Sequence, residues 1–360
     1  MLAKHHLFIV AVIFFSGCSS SDDDVVGEEQ LQPVTEGAYT DECRWIYRQM
    51  NHYYLWREDM PDSATCDYST DPVTFFKSLL SPKDRFSYCE RNTGYTGPAS
   101  VFKDDGDYAD EGLTRSASGT VFLDSVYLIG NKIIGYLCYT RFEDIAELAP
   151  VIRKFKEAQV DELIVDLRYN PGGYVSVCKY LCNSIVGESG YGNTFQYQGF
   201  NNIIADELYR ETGTYVEADL FEHPTREDEH ILGTPLYGLN MSSAYVLTSS
   251  RTASASEALI VCLRPYMNIT VIGEQTVGKG VGSSTIRNSR YKYELHPITL
   301  RYYNAKGEST PDDGIVPDYT VSGGNNTYKK DIGNTEEPLL NLALKLIAQQ
   351  GKQSFNTNRR

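Results

Sequence analysis

The sequence predicts an α/β protein: a domain with a parallel sheet, preceded by a small helical unit. Two observations carry this. From about residue 121 onward, short apolar β-rich runs alternate with amphipathic helical segments, the pattern of parallel strands joined by crossover helices. Before that, residues 38–90 place aromatic and apolar side chains at helical spacing. The length of 360 residues suits two domains. The composition, 41% hydrophobic and 22% charged, excludes a disordered or collagen-like chain.

The chain opens on a segment that does not belong to the fold. Lys4 precedes a nine-residue apolar run, Leu7 to Phe15. A bilayer span needs about 20 residues, so the run reads as a secretory signal rather than a span. It ends in Ser16-Gly17-Cys18, which resembles a bacterial lipobox. That resemblance implies removal of residues 1–17, lipidation of Cys18, and a lipid-anchored protein of the bacterial cell envelope. Residues 18–37 begin Cys-Ser-Ser-Ser-Asp-Asp-Asp and are polar, as expected of a disordered acidic tether. Such an acidic run resembles the surface-export signal of some Gram-negative lipoproteins. It is equally readable as a plain solvated linker, so the periplasmic and outer-surface faces both stay open.

In the helical unit, residues 38–90, Trp45, Ile46, Met50, Tyr53 and Leu55 mark a first helix. Pro61 and Asp62 interrupt it, and a second helix is expected over 72–80, with Phe75, Phe76, Leu79 and Leu80 apolar. Residues 91–117 are weakly patterned and read as a linker. In the main domain, residues 118–350, strands are expected at 132–139, 163–167, 245–248 and 269–273. Helices are expected at 144–158, at 174–186 (closed by Gly187) and at 255–266. Further strands fall within 284–320. A last helix at 337–350 leaves residues 351–360 as a flexible tail.

The formal charge is −15 and the pI about 4.9, with no basic patch, which argues against a nucleic-acid partner. Removing Lys4 with the signal makes the mature charge −16. Seven of the eight cysteines remain in the mature chain, so at least one is unpaired within it. Cys178 and Cys182 share a helix face. Cys43, Cys66 and Cys89 could supply one disulfide, in any pairing. No Cys/His spacing fits a zinc site, and neither a metal nor a cofactor is expected. The 27 tyrosines against two tryptophans name no function.

Two segments carry candidate chemistry. In Asp166-Leu167-Arg168-Tyr169-Asn170-Pro171-Gly172-Gly173 a buried strand ends, Asn-Pro turns, and two glycines open a helix. Helix starts expose N–H groups that can hold an oxyanion or phosphate, but the segment lacks both the P-loop and the GxGxxG spacing. Alone it reads as a tight connection. The second segment is Thr252-Ala253-Ser254-Ala255-Ser256-Glu257, followed 25 positions after Ser254 by Lys279 within Val277-Gly278-Lys279-Gly280. Ser254 and Glu257 have capping-box spacing. A serine at a helix N-terminus also sits beside unsatisfied donors, the setting of a nucleophile. None of His52, His223, His230 and His296 stands in a triad context, whereas a desolvated lysine can serve as base.

Together these motifs resemble the C-terminal processing peptidases, or tail-specific proteases, serine peptidases with a Ser–Lys dyad. Asp166 to Gly173 matches the family's D-L-R-x-N-P-G-G, Ala253 to Glu257 its A-S-A-S-E, and Gly278-Lys279 its G-K. Gly314-Ile315-Val316-Pro317-Asp318 matches its closing G-I-x-P-D. The resemblance implies a ClpP–crotonase-like ββα spiral core over roughly residues 118–350. It implies Ser254 as nucleophile and Lys279 as general base. The oxyanion hole falls to the N–H of Ala255 with that of Gly172 or Gly173, and Glu257 becomes a supporting carboxylate. It implies protein or peptide substrates with unstructured C-terminal tails.

Three departures stand out. Pro265 occupies a position where some members carry an aspartate, and Ser283 one where a glutamine often stands. The roughly 30 residues between Cys89 and Val121 cannot hold the family's usual PDZ domain, which binds substrate C-termini by strand addition. A PDZ-less member is therefore expected, although Asp84-Arg85-Phe86-Ser87 still resembles the ending of the family's helical domain. A catalytically weak or inactive peptide-binding lipoprotein is the alternative. A crotonase-type acyl-transfer enzyme ranks last, for want of any acyl-CoA-binding signal.

Overall fold

A computed structural model of the chain describes residues 39–91, 119–222, 230–231, 234–321 and 330–357. The expected signal peptide, Cys18, the tether and nearly all of the 91–117 linker lie outside these.

The N-terminal unit is built on α1 (Thr40–Tyr53) and α2 (Pro72–Ser78). Asp71 caps α2 by accepting the N–H of Thr74, and Pro72 sits at the first helical position, where its missing N–H costs nothing. Cys43, Ile46, Met50, Phe75, Phe76 and Leu79 are buried together. The unit is helical, as expected, but its core is closed from outside it. Strand β1 (Tyr88–Arg91) leaves it and pairs antiparallel with a strand some 200 positions later, and Tyr293 and Leu295 from there complete its core. Two helices of 14 and 7 residues bury too little apolar surface to close a core alone.

The main domain opens with the hairpin β2 (Val121–Ile129) and β3 (Lys132–Tyr139), followed by α3 (Ile145–Glu157), β4 (Glu162–Asp166) and α4 (Val175–Val186). Next come β5 (Thr194–Phe200), α5 (Asn202–Thr212), β6 (Val216–Leu220), and the two-residue strands β7 (His230–Ile231) and β8 (Thr234–Pro235). Then follow β9 (Ser243–Thr248), α6 (Ala255–Leu263), β10 (Asn268–Gly273), β11 (Val281–Ser283), β12 (Ile286–Asn288), β13 (Tyr293–His296), β14 (Ile298–Tyr303), β15 (Tyr319–Thr320) and α7 (Pro338–Thr357).

Six strands form the central sheet in the order β15-β10-β9-β4-β3-β2. All neighbours are parallel except β2 and β3. Both faces are covered, which explains the unbroken apolar runs in β3, β4 and β9. Leu163, Val165, Ala244 and Val246 point to α3, α4 and α6. Ile164, Tyr245 and Leu247 point to α7, against Leu339, Leu340 and Ala343. An antiparallel sheet, β11-β14-β5-β6, and the small sheet β1-β13-β12 flank this core.

The structure departs from expectation in four places. Helix α6 stops at Leu263 rather than residue 266, because Pro265 cannot continue it. Helix α7 runs to Thr357, so most of the expected 351–360 tail is helical. One glycine, Gly351, costs only about 1 kcal/mol in a helix and no proline follows. Residues 191–236 hold β5–β8 and α5, which the sequence did not announce. Helix α5 buries no side chain fully and β6 alternates only between exposed and half-exposed positions, so neither contributes to the main core. All seven described cysteines are free, Cys43, Cys66 and Cys89 included.

Candidate active site

The two motif segments meet at the C-terminal ends of adjacent parallel strands, where open α/β sheets place their sites. The Asp166–Gly173 turn leaves β4, and the Ser249–Ser254 loop leaves β9. Thr252 Oγ1 donates to Leu167 O (2.8 Å), and Ser256 Oγ donates to Asn170 O (3.0 Å). Ser249 Oγ donates to Arg168 O. Behind the turn, the fully buried Arg168 guanidinium forms a fork with Glu337 (2.7 and 2.9 Å) and pairs with Asp166 (2.8 Å). Glu337 also accepts the N–H of Leu340 near the start of α7. The charged part of the Asp-Leu-Arg motif is thus an internal brace between the strand end and the opposite helix layer.

Ser254 sits at the N-terminus of α6 with φ 56° and ψ −116°, a left-handed conformation that a non-glycine residue adopts only under constraint. The constraint is visible. The Ser254 N–H donates to Glu257 Oε2 (2.8 Å), the carboxylate half of the expected capping box. Gly172 lies directly against it and Gly173 against Phe142, with φ of 110° and 138°. A Cβ on Gly172 would stand 2.8 Å from Ser254 Cβ and 3.0 Å from the Ala255 nitrogen. One on Gly173 would stand 2.3 Å from Phe142 O. Only glycine fits either place. The Gly172 N–H is engaged by Asn170 Oδ1 (2.8 Å), which removes it from the pair of candidate donors. Among the described residues, the N–H groups of Gly173 and Ala255 show no protein partner.

Lys279 follows β10 and is 6% exposed. It lines one small, largely apolar pocket with Ser254, Val175, Ala258, Val261 and Tyr302. Burial pushes its ammonium down to about 8, against the opposing pull of the Glu257 and Asp84 carboxylates. Glu257, itself fully buried, accepts the N–H groups of Gly278 (2.7 Å) and Lys279 (2.8 Å) and the hydroxyl of Thr276. The Thr276 hydroxyl in turn accepts the N–H of Ile315 (2.7 Å), in the Gly314–Asp318 motif.

The N-terminal unit reaches this site, which the sequence did not reveal. Arg85 Nη2 donates to the carbonyls of Gly278 (2.9 Å) and Asp312 (2.6 Å), and the Phe86 ring centre lies 5.2 Å from Lys279 Nζ. The only sequence signal is Asp84-Arg85-Phe86-Ser87, which by itself resembles the ending of the family's helical domain. Pro265 lies beyond the end of α6, and Ser283 is the exposed last residue of β11. Cys18 is outside the described residues.

The profile of Peptidase family S41 matches residues 133–321, and that of the Peptidase S41 N-terminal domain matches residues 41–88. A carboxyl-terminal-processing protease of Synechocystis is 29% identical over 190 residues, 52% of this chain and 38% of its own. The carboxy-terminal processing protease CtpB of Bacillus subtilis is 26% identical over 164 residues, 45% of this chain and 28% of its own. The matches thus span about a third of those relatives. A crystal structure of a candidate S41 protease from Bacteroides fragilis superposes with a TM-score of 0.68 at 22% identity. It covers 88% of this chain and 99% of the other, and so shares the fold. With more than half of its residues under the family profile and its N-terminal unit under the companion profile, the chain belongs to Peptidase family S41.

Proposed function

We propose that the protein is a serine endopeptidase of the C-terminal processing type, acting through Ser254 and Lys279. The observation that carries this is the shared pocket: a serine at a strained helix start and a buried lysine with a depressed pKa face the same small cavity. With a pKa of about 8, about one lysine in ten is neutral at pH 7, enough for a general base. The neutral amine takes the Ser254 proton as Oγ attacks the peptide carbonyl. Gly173 and Ala255 offer their N–H groups to the oxyanion that develops. The lysine ammonium then protonates the leaving amine, an acyl-enzyme forms, and water activated by the same amine releases it.

Glu257 is a positioning residue in this scheme, since it holds the backbone on both sides. The apolar walls formed by Val175, Ala258 and Val261 suit an apolar side chain next to the scissile bond. Substrates are protein or peptide chains, with unstructured C-terminal tails the class suggested by the named relatives. The regions matching the two profiles are separated by residues 89–132, too few for a PDZ domain, so another surface selects the tail. We further propose a lipid anchor at Cys18 in a bacterial cell envelope, supported by the apolar run and the lipobox-like Ser16-Gly17-Cys18.

The test compares wild type, Ser254→Ala and Lys279→Ala on unfolded or tail-bearing proteins, with mass spectrometry of the products. Cleavage by wild type alone is expected. Unchanged cleavage by either variant overturns the dyad. Tail binding without cleavage by wild type favours the inactive peptide binder. For the anchor, metabolic labelling with a fatty-acid analogue should mark wild type and spare Cys18→Ala.

A further inference from the structure

The small sheet that joins the N-terminal unit to the main domain carries a cluster of groups that the peptidase chemistry does not use. Antiparallel pairing of β1 with β13 sets Glu90 directly opposite Glu294, and Tyr88 opposite His296. Glu294 and His296 are two residues apart on one strand and therefore share a face. One carboxylate oxygen of Glu294, one imidazole nitrogen of His296 and one carboxylate oxygen of Glu90 all lie within 4.8 Å of one another. Like charges placed opposite each other across a ladder are unfavourable. Arg287, from β12, relieves part of this by pairing with Glu294 Oε1 (2.7 Å), which leaves Oε2 turned toward His296.

His296 supplies the second, independent observation. The residue is 4% exposed, and its Nε2 is buried with no hydrogen-bond partner. The nearest carboxylate oxygen, Glu294 Oε2, is 3.6 Å away, beyond hydrogen-bond reach. The ring is held in place by stacking on Tyr88 (4.2 Å between centres, 12° between planes) and by Thr285 Oγ1, 3.2 Å from Nδ1. A hydrogen bond on the distal nitrogen is the feature that orients a metal-ligating imidazole.

We propose that Glu90, Glu294 and His296 form a divalent-metal site of the zinc type, which clips the N-terminal unit to the main domain. Mixed imidazole and carboxylate donors suit zinc better than the all-oxygen cations. One ligand comes from the N-terminal unit and two from the main domain. The clip lies just after Asp84–Ser87, the turn that holds the lysine loop. It would steady that turn without taking part in bond cleavage.

The experiment uses the untagged full chain, stripped with chelator and then titrated with zinc, alongside Glu90→Gln and His296→Gln. Glu90 is half-exposed, so its variant preserves the fold even if the histidine variant does not. Wild type should bind one zinc and gain thermal stability from it. Each variant should lose about ten-fold or more in affinity. Cobalt in place of zinc should lack thiolate charge-transfer absorption, which separates this site from the free cysteines. Absence of zinc binding to wild type, binding unchanged by Glu90→Gln, or a thiolate signature overturns the proposal. In the first case His296 is simply a buried partner of Glu294.

Discussion

A single oxygen, Glu257 Oε2, accepts the backbone N–H groups of both Ser254 and Lys279, each at 2.8 Å. The loops after β9 and β10 are therefore registered on one atom. Oε1 accepts the N–H of Gly278 and the hydroxyl of Thr276, both on the loop after β10. Glutamine at this position keeps the shape but offers one acceptor oxygen and turns an NH₂ group toward N–H donors. Glu257→Gln should lose about 2–4 kcal/mol of stability, because buried donors are left facing a donor. Activity should fall about a hundred-fold, the scale of an ångström of misplacement. A purely structural role would leave the pH profile alone. Here the Glu257 charge raises the lysine pKa, so the residual activity should titrate below 8. Chemical denaturation and a pH–rate profile check both parts.

Lys279 gives a signed pH prediction. Its folded value is depressed from 10.5 to about 8 by burial, so between those values the unfolded chain binds the proton more tightly. Its contribution to stability is therefore unfavourable below pH 8 and is relieved as pH rises toward 10.5. Lys279→Met should abolish peptidase activity and yet stabilise the protein at pH 7, by up to about 3 kcal/mol. That gain should shrink on going to pH 10. In the wild type, kcat/KM should rise with pH up to an apparent value near 8. Denaturation midpoints of the two proteins across pH 6–10 test the sign directly.

The Gly172-Gly173 turn allows no side chain, and the two positions differ in what they hold. Gly173→Ala drives a Cβ to within 2.3 Å of Phe142 O, and the backbone must move with the proposed oxyanion donor. Loss of one such donor costs about 10²–10³ in kcat. Gly172→Ala pushes on Ser254 itself. Both variants should be nearly inactive, with stability losses of about 1–3 kcal/mol from overpacking. Retention of an active-site serine probe by Gly173→Ala, with hydrolysis lost, would assign the defect to the oxyanion rather than to the nucleophile.

The parallel core was legible because both of its faces are buried, so β3, β4 and β9 read as unbroken apolar runs. The serine and lysine segments were legible because their glycines and small residues sit at motif spacing. The rest depended on contacts distant in sequence. Glu257 was readable as a cap, but its reach to Gly278 and Lys279 depends on how β9 and β10 align. Asp166 and Arg168 look like site residues in sequence, yet they are a buried brace completed by Glu337. The pairing of β1 with β13 leaves no local trace in either strand. Helix α5 has apolar residues at Ile203, Ile204 and Leu208 but buries none of them fully, so it belongs to no core that the sequence pattern marks.

The last prediction concerns Phe86 and Arg85, which the N-terminal unit sends to the lysine loop. The Phe86 ring does two opposing things to Lys279. Its face attracts the ammonium, which raises the pKa, and its bulk excludes water, which lowers it. Two substitutions separate these effects. Phe86→Leu keeps the bulk and loses the aromatic face, so the acidic limb of the pH–rate profile should move to lower pH. A cation–π contact of about 0.5–1.5 kcal/mol corresponds to a shift of up to about one pH unit. Phe86→Ala admits water, so the limb should move the other way, toward the value of an exposed lysine. Arg85→Lys keeps the charge but gives up the rigid, planar guanidinium whose Nη2 bridges the carbonyls of Gly278 and Asp312. It should lower kcat at every pH without moving the limb. Opposite displacements for the two Phe86 variants, and none for Arg85→Lys, would establish that the N-terminal unit sets the base as well as completing the fold. Superimposable profiles for all three would reduce it to packing.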